Sequence, residues 1–167
     1  MLCYYDEVEI SILFDPGFEN TLDNEWLYRL ATKALQTENL IDVEMGILIT
    51  GQEQIRLLNK QYSDEDYPTD VLSFAMRDSI DDVTEFILPP SKLYQLGDVV
   101  ISYPQAEIQA TAHGHSVLCE VAILLIHGIL HLAGYDHDVP ISQHSMQMRE
   151  QAIFNAVKDI IFENIRN

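Results

Sequence analysis

His127-Gly128-Ile129-Leu130-His131-Leu132-Ala133-Gly134-Tyr135-Asp136-His137 is the stretch on which the reading of this chain turns. His127 and His131 are four apart inside an apolar run that reads as helix. At that spacing both imidazoles project from one face, one turn apart. Gly134 supplies a helix stop, after which the chain can turn back and bring His137 toward the same point. Three neutral nitrogens converging with a fourth position open is the usual way of holding a catalytic zinc. No fourth protein ligand is evident in the motif. Two histidines four apart could instead be satisfied core residues, but His137 behind a Gly-Tyr-Asp turn argues for the metal.

Working outward, the helix that carries the motif begins at Ser116 and is apolar around most of its circumference, which marks it as central and buried. On a helical wheel at ~100° per residue, Glu120, His127 and His131 fall within roughly 40° of one another. Glu120 could therefore accept from an imidazole and fix its tautomer; the alternative is a carboxylate favoured near the helix start by the dipole. Asp136 and Asp138 flank His137, and either could orient it or act on a water at the metal. Ordinary turn chemistry is the alternative, favoured for Asp138. His113, His115 and His144 read as surface or capping histidines, and only His115 is placed to reach a pocket. The spacing resembles that of zinc peptidases, except that their helix carries a general-base Glu directly after the first His. Here that position is Gly128, which moves the reading away from peptide hydrolysis.

Before this helix the pattern gives a strand at Val8 to Phe14, ended by Asp15-Pro16-Gly17. A helix follows to about Thr37, capped by Thr21 or Asp23. A second strand spans Asp42 to Thr50 and a short helix Glu53 to Tyr62. An acidic loop runs from Ser63 to Asp70, then a third strand from Val71 to Met76. Arg77 to Ser91 reads as a long excursion. The fourth strand spans Gly97 to Ser102, and Pro104 suits the first turn of a helix to about His113. A last helix covers roughly Ser142 to Glu163. The expectation is an α+β fold in a single domain over residues 1–167, with a small four-stranded mixed sheet and about five helices.

Nine basic against 27 acidic residues give a formal net charge of −18, which disfavours nonspecific attraction to nucleic acid or anionic membrane. The two cysteines, Cys3 and Cys119, form no disulfide framework, so a reducing compartment is expected. Met1 to Ile10 lacks the features of a signal peptide, and Val121 to Ile126 is too short to span a bilayer. A soluble cytoplasmic protein with no membrane role is the expectation.

The His motif resembles the signature of the YbeY family of rRNA-maturation endoribonucleases. Three further blocks match. The first is Leu58-Asn59-Lys60-Gln61-Tyr62, followed by Asp66-Tyr67-Pro68-Thr69-Asp70-Val71-Leu72-Ser73-Phe74. The others are Leu96-Gly97-Asp98-Val99-Val100-Ile101-Ser102, and Gly114-His115-Ser116 with Glu120. The resemblance spans residues 40 to 150, approximately, in the family's order. It implies one zinc ion held by His127, His131 and His137, on a fold related in shape to zinc peptidases. It also implies single-strand-specific, metal-dependent endoribonuclease activity in 16S rRNA 3′-end maturation and in late small-subunit quality control. The partners implied are rRNA, the small ribosomal subunit and ribosomal proteins, not DNA. One departure matters. The family commonly has Arg directly after the Tyr of the first of these blocks, important for activity, and this chain has Ser63. Arg56, Lys60 and Arg77 are the nearest cations that could take over a phosphate, Arg56 and Lys60 sharing one helix face. A solvated helix face is the alternative. Two other functions stay open: a metallopeptidase-like hydrolase, and a non-catalytic ribosome-assembly factor with a structural zinc.

Overall fold

Val8–Phe14 alternates half-buried and exposed side chains, the period of a strand with one face on a core. It forms β1 in a computed structural model that describes residues 7–76, 93–136 and 140–163. The expected excursion at 77–91, with Arg77, and the residues His137 and Asp138 lie outside the described residues.

The elements that follow β1 are α1 (Asn24–Thr37), β2 (Val43–Thr50), α2 (Gln52–Ser63), β3 (Val71–Ala75), β4 (Tyr94–Ser102), α3 (Tyr103–His113), α4 (Val117–Leu132) and α5 (Pro140–Glu163). Four strands form one sheet in the order β1-β2-β4-β3. The pairs β1/β2 and β2/β4 are parallel, and β3 runs antiparallel to β4 at an edge. The molecule is therefore α+β with a mixed sheet, as expected.

Of the two candidate caps for α1, Asp23 is the one used: its Oδ1 accepts from Trp26 N–H at 2.7 Å. Thr21 instead donates to Phe18 O in the preceding turn, also at 2.7 Å. The fourth strand begins at Tyr94, three residues before the expected Gly97, because β2 pairs with it from Val43 onward. Gly97 reads as a strand start but sits inside the strand, where the register shifts opposite Glu44 and Met45. The third strand ends at Ala75, one residue short of the expected Met76. The last helix starts at Pro140, two residues early, in the first turn that tolerates a ring without N–H.

α4 is the central helix. Eleven of its residues are buried, Leu124, Leu125, Ile129 and Leu130 among them, and it packs on α1, α3, α5, β3 and β4. It approaches the sheet closely enough that a Cβ at Gly128 would lie 2.7 Å from Val99 Cγ1 and 3.2 Å from Ser73 Oγ. Cys119 is a buried free thiol, and burial first, then the Glu120 carboxylate, holds its pKa above the ordinary range. Such a thiol is unreactive. α5 is tied to α1 at both ends. Trp26 Nε1–H donates to Ile160 O at 3.1 Å. Arg149 Nε pairs with Glu38 at 2.6 Å, and its Nη2 donates to Thr37 O at 3.2 Å, satisfying a carbonyl at the end of α1. That anchorage fixes the next residue, Glu150, over α4.

Candidate metal centre

The helix face built by His127 and His131 opens into a cleft of about 470 Å³. Its walls are the edge strand β3 (Val71, Leu72, Ser73, Ala75), the end of α4 (Leu132) and the turn Gly134-Tyr135-Asp136. Two forces shape that turn. Gly134 takes φ +100°, a left-handed value that costs glycine little. Gly134 N–H then donates to His131 O and Tyr135 N–H to Leu130 O, both at 3.0 Å. This pairing of the last carbonyls reverses the chain, so that Asp136 reaches the cleft. The turn-back expected from Gly134 is thus present up to Asp136, and His137 is the residue after it.

The two imidazoles meet Nε2 to Nε2 at 3.0 Å, with ring centroids 4.6 Å apart. Two ring nitrogens this close need a proton or a cation between them, since facing lone pairs repel. A tetrahedral ion with bonds of roughly 2.0–2.1 Å to nitrogen places its donor atoms roughly 3.3 Å apart. The observed separation is within a few tenths of an ångström of that value. Behind this pair, His127 Nδ1–H donates to Glu150 Oε1 at 2.7 Å. A carboxylate there fixes the tautomer that leaves Nε2 as a lone pair toward the cleft. The donor chemistry therefore fits a zinc-type ion, with His127 and His131 supplying two of its ligands.

Glu150 escaped sequence reasoning, and the structure gives it the place considered for Glu120. Glu120 shares the histidines' angular position but lies seven residues from His127, about 10 Å along the axis at 1.5 Å per residue. Its side chain is 3% exposed, and its Oε2 accepts instead from His113 Nδ1–H at 3.1 Å and from His115 Nε2–H. The helical wheel reports angle and omits axial distance. No local signal marks Glu150, which is 23 residues beyond His127 and reaches it only because α5 packs on α4.

Two of the three cations proposed for phosphate, Arg56 and Lys60, lie elsewhere. Arg56 Nε and Lys60 Nζ each sit 2.8 Å from Asp66 oxygens, and Arg56 also meets Glu53 at 3.3 Å. The Asp66 and Glu53 charges raise the Arg56 pKa, and the hydrogen bond from Lys60 leads in lowering that of Asp66. α2 packs through Tyr62 on Phe74, ring centroids 4.9 Å apart. Phe74 and Ser73 point to opposite faces of β3, so Arg56 and Lys60 are across the edge strand from the histidines. Ser63 ends α2 and is exposed.

Comparison with known proteins agrees with this architecture. A family model described as Endoribonuclease YbeY matches residues 17–158. A relative from Dehalococcoides mccartyi strain 195, named Endoribonuclease YbeY, is 40% identical over 162 residues, covering 94% of each chain. One of the same name from Roseiflexus castenholzii is 38% identical over 153 residues, 90% of this chain and 94% of its own. A solution structure of a protein from Thermotoga maritima superposes with a TM-score of 0.55 at 23% identity, covering 90% of this chain and 92% of its own, and so shares the fold. With a family model spanning most of its length and relatives this similar end to end, the chain belongs to the YbeY family of endoribonucleases.

Proposed function

We propose that this protein is a metal-dependent endoribonuclease that cleaves single-stranded RNA at the 3′ end of 16S rRNA and acts in late small-subunit quality control in the cytoplasm. The observation that carries the metal dependence is the His127–His131 nitrogen pair at 3.0 Å, backed by Glu150 and open to a cleft. The relatives are named endoribonucleases, and rRNA is the substrate that the family resemblance implies.

In this reading His127, His131 and His137 hold the ion. When bound, zinc supplies Lewis acidity, making water a better nucleophile near neutral pH and offsetting charge on phosphoryl oxygens. The remaining work falls to the chain. Glu150 keeps the His127 ring oriented and its proton on Nδ1. Asp136, exposed at the cleft wall, is the carboxylate placed to accept a proton from the attacking hydroxyl. Phosphate contact falls to Arg56, Lys60 or Arg77. The first two would have to exchange Asp66 for the phosphate, and a nucleotide chain crossing the edge of β3 would pass between them and the histidines.

The peptidase reading loses ground on geometry as well as sequence. A general-base Glu at position 128 would have to displace Val99, because its first side-chain carbon already collides. The assembly-factor reading is separated by experiment. Wild type and His131→Ala are compared for RNA cleavage, with metal content measured on both. Loss of both together is expected. Loss of metal with cleavage retained overturns the proposal, and full zinc with no cleavage but firm ribosomal binding favours the assembly factor. Product ends decide the nucleophile: a 2′,3′-cyclic phosphate means attack by the RNA's own hydroxyl and excludes direct hydrolysis.

A further inference from the structure

A second histidine–carboxylate cluster lies at the opposite end of α4. α3 ends at His113, Gly114 turns the chain at φ +72°, and Ser116 caps α4 by accepting from Cys119 N–H. The two helices meet at 113°. Inside this corner His113 Nδ1, His115 Nε2 and a Glu120 carboxylate oxygen all lie within 4.8 Å of one another. Glu120 is 3% exposed, His115 27% and His113 59%.

The helix dipole accounts for a carboxylate in the first turn of α4. It does not account for two imidazoles from outside the helix converging on one oxygen of it. A buried carboxylate is costly without a compensating positive charge. Among the described residues the ion-pair partners of Glu120 are those two imidazoles, both aimed at the same carboxylate oxygen. A divalent cation satisfies all three groups at once. Two imidazoles and one carboxylate are a donor set that holds zinc, and the exposed side at His113 leaves a way in. The net charge of −18 favours cation binding generally.

We propose that His113, His115 and Glu120 form a second site for a zinc-type divalent ion, which pins α3 to α4 and leaves its remaining coordination to water. On binding, the two histidines turn the lone pairs of Nδ1 and Nε2 to the ion and carry their protons on the opposite ring nitrogens. Glu120 and His127 are separated by about 10 Å of helix axis, so the two ions would not share ligands or substrate. This site is independent of the proposed RNA cleavage.

The test counts ions on chelator-stripped, full-length protein titrated with Zn²⁺, and with Co²⁺ for its visible ligand-field bands. Wild type is expected to take two ions per chain and H113Q/H115Q one, with RNA cleavage within about twofold of wild type. H127Q/H131Q is expected to keep one ion and to show a metal-dependent rise in Tm, which is lost when H113Q/H115Q is added to it. One ion in both wild type and H113Q/H115Q overturns the proposal, as do two ions in both. Because the count on wild type against H113Q/H115Q decides by itself, a cleft variant that fails to fold does not rescue it. Loss of cleavage in the cleft variant reads on the catalytic proposal alone.

Discussion

Two histidine pairs stand on or beside α4, and they differ in where the carboxylate sits. At the cleft, His127 and His131 present Nε2 to each other at 3.0 Å, and Glu150 lies behind, on the far nitrogen of His127. At the corner, Glu120 lies between His113 and His115, on the same nitrogens an ion would use. A carboxylate behind an imidazole orients it and leaves the front vacant for chemistry. A carboxylate between imidazoles is itself a ligand, buried and committed. The first arrangement suits an ion that must keep an open position for chemistry, and the second an ion that ties two helices together.

The sharpest break in that comparison is H131A, which removes a donor at the front of the cleft. RNA cleavage is expected to fall by about three orders of magnitude or more, with loss of the cleft ion by metal analysis; a corner variant with the same loss would erase the distinction. E150Q acts from behind. Its amide can still accept from Nδ1–H but carries no charge, so a fall of roughly 10- to 100-fold in metal affinity or cleavage is expected. Isothermal titration and initial rates measure it, and unchanged values would mean that α5 does not tune the site. G128A lies between the two cleft histidines, where α4 presses on β4, and tests the packing of the helix both clusters use. Overpacking against Val99 typically costs about 1–3 kcal/mol, offset by up to about 1 kcal/mol of helix propensity. Chemical denaturation is expected to show net destabilisation with both ions still bound.

The smallest effect belongs to D66N, on the other face of β3. Asp66 has its pKa lowered by Lys60 and Arg56. A depressed carboxylate pKa means stability present above its unfolded-state value and lost as the pH falls through the folded one. The pair is exposed, so the change in Tm between neutral and acidic pH is expected to be slight. If Asp66 restrains the cations from phosphate, D66N should raise RNA affinity, read by fluorescence anisotropy at low salt. Unchanged affinity would remove Arg56 and Lys60 from the RNA path.

Much of this was legible in the chain. The i, i+4 spacing placed His127 and His131 on one face, and the apolar run around them marked α4 as the buried helix. Gly134 announced the turn after α4, expected to bring back His137, and the structure follows that turn as far as Asp136 at the cleft. Gly128 excluded a general base, and the structure adds why no side chain fits: Val99 and Ser73 fill the space. The alternation in Val8 to Phe14 and Asp42 to Thr50 marked sheet strands, the second of which begins at Val43. These features are local, carried by periodicity and backbone preference, which sequence displays directly.

What the sequence by itself determined is thus the kind of site: an apolar central helix with two imidazoles one turn apart and a glycine stop after them. Those follow from 3.6 residues per turn and from the freedom of a residue without a Cβ. Tertiary structure alone decided which carboxylate serves which histidine. Glu120 matches His127 in angle but is about 10 Å away along the axis, and it turns to the α3–α4 corner. Glu150 is distant in sequence, yet Arg149 and Trp26 lock α5 to α1 and set it against His127. A hydrogen bond needs about 3 Å in all three dimensions, and sequence supplies one of them.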